Sequence, residues 1–120
     1  MFEIFFYKNQ AGNEPVLEYI QELAGKADKD SRIKATKIQD YINYLRKTGS
    51  QAREPYAKHL DGVIWELRPL RDRILYAAWD GQSFILLHHF MKKTRKTPKR
   101  EIDQAKRNFA DYLERRTDNE

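Results

Sequence analysis

Apolar residues recur along this chain with two periods, and the switches between them divide it into elements. Phe2 to Tyr7 alternates and is rich in β-formers, which predicts a strand with Phe2, Ile4 and Phe6 on one face and Glu3, Phe5 and Tyr7 on the other. Beyond Gly12 the period lengthens. Val16, Leu17, Ile20, Leu23 and Ala24 recur at helical spacing, with Asn13 as N-cap, Pro15 in the first turn and Gly25 as the stop. A second helix is expected from about Asp30 or Ser31, with Ile33, Ile38, Tyr41, Ile42 and Leu45 buried and Gly49 behind it. The two helices read as a hairpin laid on a sheet.

Ser50 to Gly62 reads as a connection. Pro55 argues against a regular strand there and leaves Tyr56 to His59 a brief edge pairing at most. The period of two then returns. From Val63 to Arg68 it assigns Val63, Trp65 and Leu67 to the core and Ile64, Glu66 and Arg68 to the opposite face. Pro69 to Asp72 turns the chain, Arg73 to Trp79 forms the next strand, and Asp80-Gly81 is a strong hairpin signal. Phe84 to Phe90 is apolar on both faces, so this strand is central or covered on both sides. The basic loop Met91 to Thr97 follows. Thr97 is placed as N-cap and Pro98 as the first residue of a last helix whose buried stripe is Ile102, Ala105, Phe109, Tyr112 and Leu113. Thr117 to Glu120 is expected to fray. The expected fold is α+β and a single domain over residues 1–120: an N-terminal strand and helical hairpin packed on a small antiparallel sheet, with a C-terminal helix.

Composition narrows the chemistry. At 40% hydrophobic and 12% aromatic the chain is a folded protein, and 120 residues suffice for one core. The absence of cysteine removes disulfides, thiolate metal sites and cysteine nucleophiles. No HExxH or comparable ligand spacing exists, and His88 and His89, being adjacent on a strand, face opposite ways; neither metal nor cofactor is expected. His59 reads as a surface residue. With no signal h-region and no apolar run of membrane length, a soluble cytoplasmic protein is the expectation. The net charge of +5 is uneven. Met91 to Arg116 carries ten Lys and Arg against four Asp and Glu, a net of +6, while the remainder nets −1. Such asymmetry suits a polyanionic partner.

Singly, the charged residues of this region have plain readings. Glu66 and Arg68 make an ordinary ion pair, Arg73 is a strand-start surface residue, and the lysine run is a solvated loop. Together they converge on one end of one sheet, in the segment that holds the charge surplus, and that favours a functional surface.

The order strand, helix, helix, three-strand meander, basic C-terminal segment resembles the RelE superfamily of toxins. The strings WELRP (Trp65 to Pro69), RILY (Arg73 to Tyr76) and FMKKTRKTP (Phe90 to Pro98) ahead of a helix are similar to its HigB-type branch. The resemblance covers nearly the whole chain. It implies a toxin of a type II toxin–antitoxin pair: a metal-independent, ribosome-dependent endoribonuclease that cleaves mRNA in the 30S A site and is held by a HigA-like helix-turn-helix antitoxin. It also implies roles. Arg73 matches the arginine used at the scissile phosphate, and Arg68 binds the same or the next phosphate. Lys93, with Lys92 as substitute, grounds or protonates the leaving oxygen. Glu66 is a general base or merely orients the arginine. Lys92, Arg95, Lys96, Lys99 and Arg100 bind RNA. The chain departs from the pattern in having Ile64 and Glu66 where some relatives carry lysines, and in lacking a matching C-terminal tyrosine. His88 and His89 are the candidate substitutes for that acid–base group. The alternative is a non-catalytic nucleic-acid-binding or co-repressor protein that uses the same basic face.

Overall fold

In the computed structural model, which describes residues 1–118, the chain forms β1 (Glu3–Phe6), α1 (Pro15–Gly25), α2 (Lys29–Thr48), a short 3-10 turn (Gly49–Gln51), β2 (Ala57–Asp61), β3 (Ile64–Leu67), β4 (Asp72–Trp79), β5 (Ser83–Met91) and α3 (Lys99–Asp118). The expected α+β fold is present, with a larger and mixed sheet. Five strands lie in the order β1-β5-β4-β3-β2, and β1 runs parallel to β5 while the rest are antiparallel. β2 is a five-residue edge strand despite Pro55, because the proline stands two residues before it, and its pairing with β3 shifts register between His59 and Asp61.

Two apolar layers sandwich the sheet. On one face Ile38, Ile42 and Leu45 of α2 and Val16 and Leu23 of α1 pack on Leu67, Ile74, Tyr76 and Leu86. On the other, Ala105 of α3, with Ile102, Phe109 and Tyr112, packs on Ile64, Leu75, Ala77, Ile85 and Leu87. Because α3 covers the second face, Ile64 is completely buried, and Val63, expected in the core, stands before the strand and is exposed. Ile33, expected in the buried stripe of α2, is also exposed.

Chain termini and turns follow local chemistry. α2 begins at Asp28, whose carboxylate accepts from the Ser31 amide at 2.9 Å. The N-cap position of α1 is Glu14 rather than Asn13, and it makes no side-chain cap bond. The β4–β5 turn puts both Asp80 and Gly81 at positive φ, as a tight twisted hairpin requires. Gly49 ends α2 at φ +55°, and the Phe2 ring occupies the space where a side chain would begin. Of the tail expected to fray, α3 holds residues to Asp118, and 119–120 lie outside the described residues.

Candidate nucleic-acid interface

The candidate residues are positioned by the β3–β4 turn and by the loop that leaves β5. Register places Arg73 opposite Phe90 and Leu75 opposite His88. A bulge on β5 pairs Tyr76 with Leu86, so Leu87 is the extra residue, and both Leu87 and His88 face α3. The turn itself is unusual. Leu70 has φ +56°, a conformation most side chains avoid, and its carbonyl accepts from Arg73 Nη1 at 2.9 Å. Arg73 Nη1 also donates to the Asp72 carbonyl at 2.9 Å. The loop is strapped to the turn by Lys92 N to Arg71 O at 2.7 Å and Arg71 Nη2 to Lys92 O at 3.2 Å.

Arg73 and Lys93 line one open cleft of about 390 Å³, together with Arg71, Lys92 and Arg95 and without any carboxylate. Arg73 is 6% exposed, and burial lowers its pKa from the ordinary guanidinium value while Glu66 opposes that shift. It is therefore a fixed cation held by the backbone, whereas Lys93 is exposed on the loop.

Arg68 is placed elsewhere. It lines a neighbouring hollow of about 240 Å³ with Lys58, His59, Lys96 and Thr97, and Arg95 is shared by the two hollows. Arg68 Nη1 is 3.1 Å from Glu54 and its Nε 3.5 Å from Glu66 Oε2. Glu66 is only 2% exposed, and the Thr97 hydroxyl donates to its Oε1 at 2.5 Å. Thr97, expected as a helix cap, thus ties the basic loop to β3, and the Pro98 carbonyl accepts from the first-turn amides of Glu101 and Ile102. Lys99 and Arg100 line neither hollow; Lys99 pairs with Asp103 at 2.7 Å, and Arg100 lies 3.7 Å from Glu101.

The two histidines do face opposite ways, and both meet carboxylates. His88 Nε2 is 2.8 Å from Glu101, under α3. His89 Nε2 is 3.3 Å from Asp72 Oδ1 and its ring stacks on Tyr19 at 3.5 Å. The Tyr19 hydroxyl donates to the same oxygen at 2.7 Å. Burial of Asp72 works against its ionised form, but the bonds from His89 and Tyr19 and the charge of Lys34 leave the carboxyl below its ordinary pKa. Neither histidine borders the cleft.

Arg71 and Lys58 were not among the expected site residues, and His59, expected as a surface residue, borders the second hollow. Arg71 sits two residues from Arg73 in the turn, a spacing that signals a shared edge. Lys58 and His59 carry no local signal, since they reach the second hollow only through the pairing of β2 with β3. Among the described residues no group of His, Asp and Glu is arranged to hold a metal ion, and no helix is long and apolar enough to cross a membrane.

No curated protein matches the chain. Residues 25–110 match the family described as phage derived protein Gp49-like (DUF891). The match spans more than half of the chain, which therefore belongs to the Gp49-like family, a toxin-like family related to RelE and HigB.

Proposed function

We propose that this protein is a HigB-type endoribonuclease of a toxin–antitoxin pair, acting on mRNA at the ribosome and neutralised by a HigA-like antitoxin. One observation carries the reading: Arg73 and Lys93, from separate elements, line one cationic cleft that holds no carboxylate. The reaction uses the RNA's own 2′-hydroxyl. Its oxygen attacks the adjacent phosphorus, the bond to the 5′-oxygen breaks, and a cyclic phosphate and a 5′-hydroxyl result. The leaving oxygen takes a proton from Lys93, and the 2′-hydroxyl proton goes to water, since the cleft lining has no His, Asp or Glu.

Arg73 binds the non-bridging oxygens as charge builds on phosphorus, a task suited to a preorganised guanidinium. Lys93 lies within the same cleft to neutralise the leaving oxygen, with Lys92 beside it. Arg68 and Arg95 hold the next phosphate in the second hollow. Glu66, bound by Thr97 and set beside Arg68, orients that arginine rather than removing protons. The basic loop carries the RNA backbone, so binding weakens with salt.

The test is incubation of purified protein, in the presence of a metal chelator, with mRNA alone and with programmed ribosomes. Cleavage products with 5′-hydroxyl ends, in the ribosome reaction and absent with Lys93→Ala, support the reading. Intact mRNA under both conditions overturns it. A second reading draws on the cleft's lining, which has no His, Asp or Glu to act as a base: a nucleic-acid-binding co-repressor on the same face. It predicts RNA or DNA binding without cleavage.

A further inference from the structure

Beside the cleft lies a second surface of different chemistry. A groove of about 260 Å³ runs between the start of α2, the β3–β4 turn and the end of β5, lined by Asp30, Ile33, Lys34, Leu70, Arg71 and Met91. Ile33, Leu70 and Met91 are 42%, 51% and 45% exposed, so three of the large apolar side chains that the described residues leave in solvent converge here. Leu70 is held outward by the backbone conformation that a glycine would adopt more cheaply. Leu70 and Arg71 also form a wall of the cationic cleft.

We propose that this groove docks an acidic amphipathic helical segment of a protein partner, whose aliphatic side chains enter between Ile33, Leu70 and Met91 and whose carboxylates extend over Arg71 into the cleft. The partner's character follows from the surface. Its floor is aliphatic, with none of the aromatic rings on which nucleobases stack. Its charge is cationic toward the cleft, where Arg71 is followed by Arg73, Lys92, Lys93 and Arg95 without a carboxylate. A second copy of this chain docked through the same patch would set two cationic surfaces against each other, which charge repulsion disfavours. Because the groove and the cleft share two residues, an occupant with this charge excludes RNA. The inference rests on the toxin reading only for that last step.

The chain has no cysteine, so a single Ile33→Cys can be labelled with an environment-sensitive fluorophore, with Val63→Cys, also exposed and apolar, as control. The probe is a synthetic helix-forming peptide with leucine along one face and glutamate elsewhere, compared with a lysine-for-glutamate twin. The acidic peptide is expected to shift emission at position 33 and not at 63, to lose at least about tenfold in affinity for Ile33→Glu, and to displace a bound RNA oligonucleotide; the lysine twin is expected not to bind. Equal affinity for Ile33→Glu, or no binding of the acidic peptide, overturns the proposal. So does an emission change on raising protein concentration alone, which marks self-association, or a loss of RNA affinity in the uncharged Ile33→Ala, which marks a nucleobase site. Peptide binding as expected together with intact mRNA in the ribosome reaction leaves this surface standing and removes the nuclease reading.

Discussion

Replacing Arg73 by alanine separates a catalytic cation from a structural one. The guanidinium is 6% exposed, and its hydrogen bonds within the described residues run through Nη1, to the carbonyls of Leu70 and Asp72 at 2.9 Å each. Nη1 is anchored to the turn, and the side chain lines the cleft. Loss of one preorganised donor to a developing oxyanion costs about 2–4 kcal/mol, or about 30- to 1,000-fold in rate. The effect on stability is smaller. Two bonds to carbonyls are lost, but those carbonyls border an open cleft that water enters, and the burial that depresses the Arg73 pKa is no longer opposed to folding. The net change is expected within about 1–2 kcal/mol. Cleavage of ribosome-bound mRNA and a thermal melt on the same preparation measure the two terms. Arg73→Lys, which keeps the charge but not the two-pronged geometry, is expected between wild type and alanine. The salt slope of RNA binding is expected to fall by about one in Arg73→Ala. A cooperatively folded Arg73→Ala that cleaves within about threefold of wild type would exclude the guanidinium from the scissile phosphate.

Thr97→Val removes the 2.5 Å bond to Glu66, whose carboxylate is almost fully buried, and is expected to destabilise the fold by about 1–3 kcal/mol, read as a lower melting temperature. In Gly49→Ala the new carbon would lie 2.2 Å from the Phe2 ring at φ +55°, so a loss of about 2–4 kcal/mol is expected, partly recovered in the double variant with Phe2→Ala, which relieves the clash but not the backbone strain. Acid should destabilise the fold partly through Asp72. Its folded carboxyl titrates below the value of the unfolded chain, so its contribution is complete above about pH 4 and is lost as pH falls through the lower folded value. Urea midpoints from about pH 6 to about pH 3 are expected to fall less steeply for Asp72→Asn; the slope does not vanish, because Asp28, Asp61, Asp103 and Asp111 are shifted the same way.

The meander was readable from sequence because its signals are local: the short apolar runs from Arg73 to Trp79 and from Phe84 to Phe90, and an Asp80-Gly81 turn whose two positive φ values only a few residue types tolerate. What escaped depended on distant segments. Alternation divides Val63 to Arg68 into two sets but cannot say which set is covered, and α3 from the far end of the chain decides for Ile64. A parallel neighbour for β1 leaves the same alternating pattern as an antiparallel one. At the site, the expectation was that the cations, Arg68 and Arg73 among them, converge on one end of the sheet. Their separation into two hollows was not legible, because the loop residue Arg95, which borders both, is placed by the Thr97–Glu66 bond. The carboxylate partners of His88 and His89 likewise come from α3 and from the start of β4.

The pairing of β1 with β5 sets manufacture against assembly. The first strand to be synthesised hydrogen-bonds to no other strand than one roughly eighty residues later, from Glu3 with Ser83 to Phe6 with Leu86. Closing a loop of that length costs on the order of 4 kcal/mol of chain entropy, and the β1–β5 pairing cannot repay it until Ser83 to Leu86 have been made. The N-terminus then waits as an unmatched edge while the hairpins downstream zip locally. A nascent copy is therefore expected to lack its finished sheet, and with it the cleft that Arg73 lines beside β5, until β5 has emerged.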